Sequence, residues 1–184
     1  MGRLYNLLGL LYKAQNRSEK AEKYYLAAIE IYERLVEKNA DAYEPALAAS
    51  YNNAGLFYSD QGQPQKAEKY YLAAIEIHER LVEKNADAYE PDLAGSYNNA
   101  GIFYSDQGKR DKAEKYHLAA IEIRERLVKK NAAAYEPDLA ISCFLFSLNS
   151  KDKTYLDKAY EIAKRRQDDP RCGKLMKDIE SMLK

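Results

Sequence analysis

Pairs of adjacent asparagines are the side chains of this sequence whose spacing best suits recognition chemistry. Asn52 and Asn53 recur 46 residues later as Asn98 and Asn99, and Asn6 stands 46 residues before Asn52. A primary amide both donates and accepts hydrogen bonds, so it can pair with the main chain of another segment. Because asparagine is mildly unfavourable inside a helix, we expect its repetition to serve a compensating purpose.

Two roles for these amides are open. In the first, they hydrogen-bond between neighbouring helices and hold those helices in register. In the second, one amide of each pair faces outward and binds the backbone of an extended peptide. For the peptide role we favour Asn53 and Asn99 over Asn52 and Asn98.

Catalytic and metal-binding chemistry lacks convergent side chains in this sequence. His117 replaces a recurring tyrosine and is predicted to pack in the core, whereas His78 falls at a variable position that indicates the surface. Cys143 and Cys172 show no CxxC spacing and no clustered histidines, which argues against a disulfide framework or a zinc site. No phosphate-binding loop, GxSxG motif or HExxH motif occurs. We therefore predict no catalytic residue, no metal, no cofactor and no enzymatic activity.

The overall charge and hydropathy exclude two further classes of binding partner. The chain has 29 basic and 29 acidic residues, so no excess of positive charge is available for a nucleic-acid backbone. No apolar run approaches the roughly 20 residues that cross a bilayer, and the N-terminal stretch is a poor signal peptide. We expect a cytoplasmic protein that contacts neither nucleic acid nor membrane.

An internal repeat of 46 residues indicates the elements that must position the asparagines. Residues 51–96 and 97–142 match at 37 of 46 positions without a gap. The same pattern lies upstream from Leu4, and a weaker copy follows downstream. Such a fixed period is the sequence signature of a repeat architecture.

Each repeat carries the signals of two helices, here named helix A and helix B. Pro45 recurs with the period and is predicted to begin helix A, which has about 16 residues. Gly62 ends helix A, since glycine tolerates the left-handed conformation. Helix B is predicted from Pro64 to about Lys84, with the following six residues as a loop to the next proline.

A single hairpin of this kind cannot bury both of its apolar sides, so each hairpin needs neighbours. The sequence therefore predicts an all-α fold, a right-handed α-α superhelix (solenoid) of helical hairpins. We expect one repeat domain over residues 1–184. Its units are predicted at about 1–44, 45–90 and 91–136, followed by a degenerate unit at 137–168 and a capping helix at 170–184.

The repeated residues resemble the tetratricopeptide repeat family. The family signature combines large aromatic and small residues on the first helix with an alanine, aromatic, alanine pattern on the second. One unit of this chain supplies it as Tyr51, Ala54, Gly55, Tyr58, Ala67, Tyr71 and Ala74. The unit has 46 residues rather than the usual 34, and so is similar to extended variants such as kinesin light chain repeats and long bacterial arrays.

The resemblance implies a scaffold that binds a protein or peptide in a concave groove lined by helices A. Helix A has no charged residue between Glu44 and Asp60. The basic residues with which some family members hold a C-terminal carboxylate are absent. The expected binding residues are asparagines and aliphatic residues of helix A, namely Asn6, Leu10, Asn52, Asn53, Leu56, Asn98, Asn99 and Ile102. The alternative is a self-assembling module that forms a homo-oligomer through its open stack ends.

Overall fold

The computed structural model describes residues 1–150 and 152–182. Within these residues there is no strand, which confirms the all-α class. The helices are α1 (Gly2–Ala14), α2 (Ser18–Val36), α3 (Ala40–Asp60), α4 (Pro64–Lys84), α5 (Ala86–Asp106), α6 (Arg110–Lys130), α7 (Ala132–Asn149), α8 (Thr154–Arg165) and α9 (Pro170–Met182). The chain divides into two compact units, Met1–Tyr89 and Glu90–Lys184, here called unit 1 and unit 2.

The predicted turn between helices A and B is confirmed. Gly62 and Gly108 have φ of 65° and 68°, and Asn16 takes the same left-handed conformation with φ of 56°. The predicted bounds of helix B also match, because α4 begins at Pro64 and ends at Lys84. Proline fits this first turn because its missing N–H group would have no partner there.

The predicted start of helix A at proline is wrong. α3 begins at Ala40, so Pro45 lies inside the helix, and most of the expected loop after Asn85 is the first part of α5. The side chain of Asn39 accepts a hydrogen bond from the Ala42 N–H group at 3.1 Å and so caps the helix before the proline is reached. The predicted unit limits therefore fall inside helices α3, α5 and α7, at Pro45, Pro91 and Pro137.

Small residues let the two helices of a hairpin approach closely. A Cβ atom on Gly55 of α3 would lie 2.8 Å from the ring of Tyr71 of α4. Ala67 and Ala74, which flank Tyr71 on α4, are completely buried. The glycine is thus required because the aromatic ring occupies the space of a side chain.

Tyrosine hydroxyl groups connect neighbouring hairpins in unit 1. Tyr51 donates to Glu33 Oε1 at 2.7 Å, and Tyr58 donates to Glu22 Oε1 at 2.8 Å. Tyr70 stacks on Tyr58 with ring centroids 5.5 Å apart. Burial, followed by the hydrogen bond to a carboxylate, raises the pKa of both Tyr51 and Tyr58. These contacts tie the hairpin α3–α4 to α2 of the preceding hairpin.

A buried glutamate joins the start of helix A to helix B. Glu44 of α3, only 6% exposed, accepts a hydrogen bond from Arg80 of α4 at 3.0 Å. Glu136 of α7 does the same in unit 2, with Arg165 at 2.5 Å and Arg166 at 2.7 Å. Burial opposes the ionisation of Glu136, but the hydrogen bonds from the arginines outweigh it and lower its pKa.

The C-terminal core of unit 2 is formed by α7, α8 and α9. Cys143 of α7 and Cys172 of α9 are buried there as free thiols, together with Ile179 of α9. A helix is therefore present where the capping helix was expected, although positions 183 and 184 of that prediction lie outside the described residues.

Candidate interaction surface

Aliphatic side chains spaced by 46 residues are exposed on the first helix of each hairpin. In unit 1, Leu10 of α1 is 55% exposed and Leu56 of α3 is 47% exposed. In unit 2, Ile102 of α5 is 39% exposed and Leu148 of α7 is 50% exposed. Leu148 was not predicted because its repeat lacks most of the signature, although its spacing from Ile102 was a usable signal. Each helix A thus presents an aliphatic side chain to solvent at this position.

An exposed amide accompanies this aliphatic residue on two of the helices. Asn53 and Asn99 are exposed and stand three residues before Leu56 and Ile102, which places each pair on one helical face. Neither amide has a hydrogen-bond partner among the residues that the structure describes. These four side chains therefore offer apolar contact and an unused hydrogen-bonding group side by side.

The other asparagine of each pair joins neighbouring helices. Asn6 Nδ2 donates to Ser50 Oγ at 2.8 Å, from α1 to α3. Asn98 Nδ2 donates to Ser142 Oγ at 2.9 Å, from α5 to α7. Asn98 is only 5% exposed, so its placement among the binding residues is corrected: it is not available to a ligand. The geometry assigns Asn6 and Asn98 to holding helices in register, and Asn52 is half-buried.

A buried polar group lies beneath Asn98 in unit 2. His117 is completely buried, as predicted, and its Nδ1 lies 3.3 Å from Asn98 Oδ1. Arg124 of α6 donates to the Asp138 carbonyl oxygen at 2.8 Å and also to the Ser142 hydroxyl. Burial, reinforced by the positive charge of Arg124, lowers the pKa of His117 to about 4. This histidine is neutral at pH 7 and serves packing.

The surface position predicted for His78 is wrong, because its side chain is only 3% exposed. His78 corresponds in the repeat to Arg124 and Tyr32, and this variety of residue types suggested solvent. Arg124 shows what the position does in unit 2, where its side chain reaches the next helix. The position therefore lies between helices in these two copies, and its variation does not indicate solvent exposure.

A charged pair lies at the end of the surface in unit 1. Asp60, at the end of α3, forms an ion pair with Lys13 of α1 at 2.5 Å.

Over residues 1–150 and 152–182, no group of three or more His, Cys, Asp or Glu side chains is arranged to hold a metal ion. Within the same residues, no helix is long and apolar enough to span a bilayer.

Several solved structures share this fold. BtubC (BKLC) from P. vanneervenii aligns with 24% sequence identity and a TM-score of 0.66, and the alignment covers 99% of this chain and 64% of that one. The chain thus spans less than two thirds of the length of BtubC. Two structures of a Podosopora anserina putative kinesin light chain with nearly identical TPR-like repeats align at 12% and 14% identity. Their TM-scores are 0.57 and 0.56, with 97% and 99% of this chain and 92% and 96% of theirs covered.

These likenesses concern the fold, whereas family models match the sequence itself. The model described as tetratricopeptide repeat matches residues 47–85 and 93–131, and a second model of the same description matches residues 2–34. Together the matches cover more than half of the chain. No match was found among the curated proteins. With its glycine and tyrosine packing and its kinesin light chain-like structural neighbours, the chain belongs to the tetratricopeptide repeat family, in an extended-repeat form.

Proposed function

We propose that this chain is a non-catalytic scaffold that binds a peptide or protein segment in the groove lined by its helices A. Tetratricopeptide repeats generally mediate protein–protein interaction, which supports the general role. The observation that carries the specific site is the recurrence of an exposed aliphatic residue beside an exposed, unpaired amide, as in Asn53 with Leu56 and Asn99 with Ile102. The cytoplasmic location expected from the sequence belongs to the same proposal.

The chemistry of these side chains suits an extended segment with apolar side chains. An amide can donate to a peptide carbonyl and accept from a peptide N–H group, so it recognises the main chain. Exposed leucine and isoleucine then bind alternate apolar side chains of the ligand. Leu10 and Leu148 extend the same pattern to α1 and α7.

The test replaces the two exposed amides by carboxylates, as Asn53→Asp with Asn99→Asp. Because a carboxylate cannot donate to a peptide carbonyl, partners captured from a lysate by the wild-type chain should be lost while helicity is kept. The matched control is Gln61→Glu with Gln107→Glu, which adds the same charge at exposed positions just after α3 and α5. Equal recovery of every partner by the asparagine variant would exclude these amides from binding.

A second candidate function is self-assembly through the exposed leucines of α1. Three further leucines of α1 are exposed: Leu4 is 54%, Leu7 is 56% and Leu11 is 50% exposed. An apolar face of this kind is the feature that a pairing surface needs. Light scattering over a wide range of concentration tests it, with Leu11→Glu as the disrupting variant. A mass that stays monomeric at every concentration rules this candidate out.

A further inference from the structure

Unit 2 contains a cavity of about 390 Å³ between the end of α6, the start of α7 and α8. Its apolar lining comes from Val128, Leu139 and Ile162, of which Leu139 and Ile162 are buried. Charged side chains that include Glu125 and Lys158 also line it, and these two form an ion pair. None of the exposed asparagines and aliphatic residues of the proposed groove lines this cavity.

The repeat shows which side chains are missing from this place. In α5 and α6 of the same unit, Tyr97 and Tyr116 lie with ring centroids 5.9 Å apart, and Tyr104 stacks on Tyr116 at 5.4 Å. One period later, Cys143 of α7 stands in place of Tyr97 and Ile162 of α8 in place of Tyr116. Ser150, the residue after α7, stands in place of Tyr104. Of these three positions only that of Ile162 lines the cavity, so an aliphatic side chain stands there in place of the Tyr116 ring.

The length of α8 leaves the cavity open as well. α6 has 21 residues, whereas α8 has 12 and ends at Arg165. Arg165, which lines the cavity, then pairs with Glu136 at the start of α7. A longer helix B would have continued past the start of α7. Here only the side chain of Arg165 borders it.

One element of the tyrosine site is nevertheless retained. Glu125 stands two periods after Glu33, and Glu33 accepts the hydrogen bond of the Tyr51 hydroxyl at 2.7 Å in unit 1. The cavity therefore offers a carboxylate acceptor beside aliphatic side chains, which suits a half-buried phenol such as that of Tyr51. Tyr70, whose ring centroid lies 5.7 Å from that of Tyr51, corresponds to Ile162, so the cavity lining has an aliphatic residue where unit 1 has a second tyrosine.

We propose that this cavity receives the side chain of a tyrosine from a partner protein. Its ring packs against Leu139 and Ile162, and its hydroxyl donates to Glu125 beside Lys158. The unit thus has a second binding site, separate from the groove, that recognises an exposed tyrosine. A tyrosine supplies large apolar contact and a polar tip, and this residue type is enriched at protein interfaces for that reason.

The first experiment uses two probes, N-acetyl-tyrosinamide and N-acetyl-phenylalaninamide, added to the isotope-labelled full chain. Both probes should shift the amide NMR signals of Val128, Leu139 and Ile162. The tyrosine probe should bind about tenfold more tightly, because a hydrogen bond to a carboxylate is stronger than one between neutral groups. Absence of shifts at these positions, or equal affinity for the two probes, overturns the proposal.

Variants then assign the site. Ile162→Tyr restores the residue of the repeat, fills the cavity from within and should abolish binding of both probes. Glu125→Gln keeps the shape and should reduce the preference for the tyrosine probe, while the matched change Glu33→Gln in unit 1 should leave it unchanged. Undiminished binding to an Ile162→Tyr chain of normal helicity, or an unaltered preference in Glu125→Gln, contradicts the assignment.

Two further measurements separate this site from the groove and from self-association. Asn53→Asp with Asn99→Asp, the groove variant, should bind the tyrosine probe as the wild type does, whatever happens to the groove partners. If the wild-type chain forms a dimer that Ile162→Tyr dissolves, the tyrosine comes from a second copy, and the partner assignment is overturned.

Discussion

The hairpin α3–α4 of unit 1 and the hairpin α7–α8 of unit 2 are copies of one repeat with different interiors. In α3–α4, Gly55 faces the ring of Tyr71. In α7–α8, the corresponding positions hold Ser147 and Ala163. The last hairpin therefore has two small side chains where the regular hairpin packs a glycine against a tyrosine ring.

The hairpin α5–α6 shows a third arrangement of the same two positions. Gly101 remains small, and a Cβ atom there would lie 2.5 Å from the ring of His117. The shape of the tyrosine site is kept, but the ring that fills it can take up a proton. Unit 2 therefore carries a group that can become positively charged at acid pH where unit 1 carries Tyr71.

The largest expected effect is a loss of stability of unit 2 at acid pH. The folded-state pKa of His117, about 4, is below the ordinary value of 6.5. Above pH 6.5 the histidine is neutral in both the folded and the unfolded chain, and its contribution to the unfolding free energy is complete. As the pH falls from 6.5 towards 4, this contribution is lost, because the unfolded chain binds the proton more tightly. The shift corresponds to about 3 kcal/mol of unfolding free energy. Urea unfolding followed by circular dichroism between pH 7.5 and pH 4 measures it.

His117→Tyr provides the control for this prediction. The variant restores the residue that faces Gly55 in unit 1, so its stability should depend less on pH than that of the wild type. The difference in unfolding free energy between the two proteins should change by about 3 kcal/mol across this range. Parallel pH profiles would mean that other groups cause the acid sensitivity.

A smaller effect is expected when the glycine of the regular hairpin is replaced. Gly55→Ala places a methyl group 2.8 Å from the Tyr71 ring, and such overpacking costs about 2 kcal/mol. Ser147→Ala in α7 should change stability by less than about 0.5 kcal/mol, because the position already holds a side chain. Thermal unfolding of both variants compares the two hairpins directly. Similar losses in both would contradict the role assigned to the glycine.

The sequence predicted a helix end correctly where that end carries a single signal, and wrongly where two signals compete for the start of a helix. Pro64 and Gly62 each have one local meaning, and helix B was placed correctly from them. At the start of helix A, the cap at Asn39 precedes Pro45, and the helix begins at the cap although a proline inside a helix removes a backbone donor and crowds the carbonyl group four residues before it. The stronger signal by residue type was therefore not the one that begins the helix.

The residue types alone could not predict which asparagine of each pair is buried and which is exposed. Asn98 and Asn99 are chemically identical neighbours, but successive residues of a helix point about 100° apart, so one is buried and the other exposed. Near-identical copies repeat the ambiguity instead of resolving it. The serine at Ser142, two residues short of a full period after Asn98, becomes informative only once the rotation of the helices is known.

The smallest effect concerns how each unit joins successive helices A near their ends. Unit 1 uses the ion pair of Lys13 with Asp60, whereas unit 2 uses a neutral hydrogen bond from the Ser105 hydroxyl to Asn149 Oδ1 at 2.7 Å. Lys13→Met should cost about 0.5 kcal/mol at low salt and less at high salt, because salt screens a half-exposed pair. Ser105→Ala should cost about 1 kcal/mol at either salt concentration, since a neutral hydrogen bond is not screened. Urea unfolding at low and high sodium chloride separates the two, and a salt-dependent loss in Ser105→Ala would show that charge also holds the helices of unit 2.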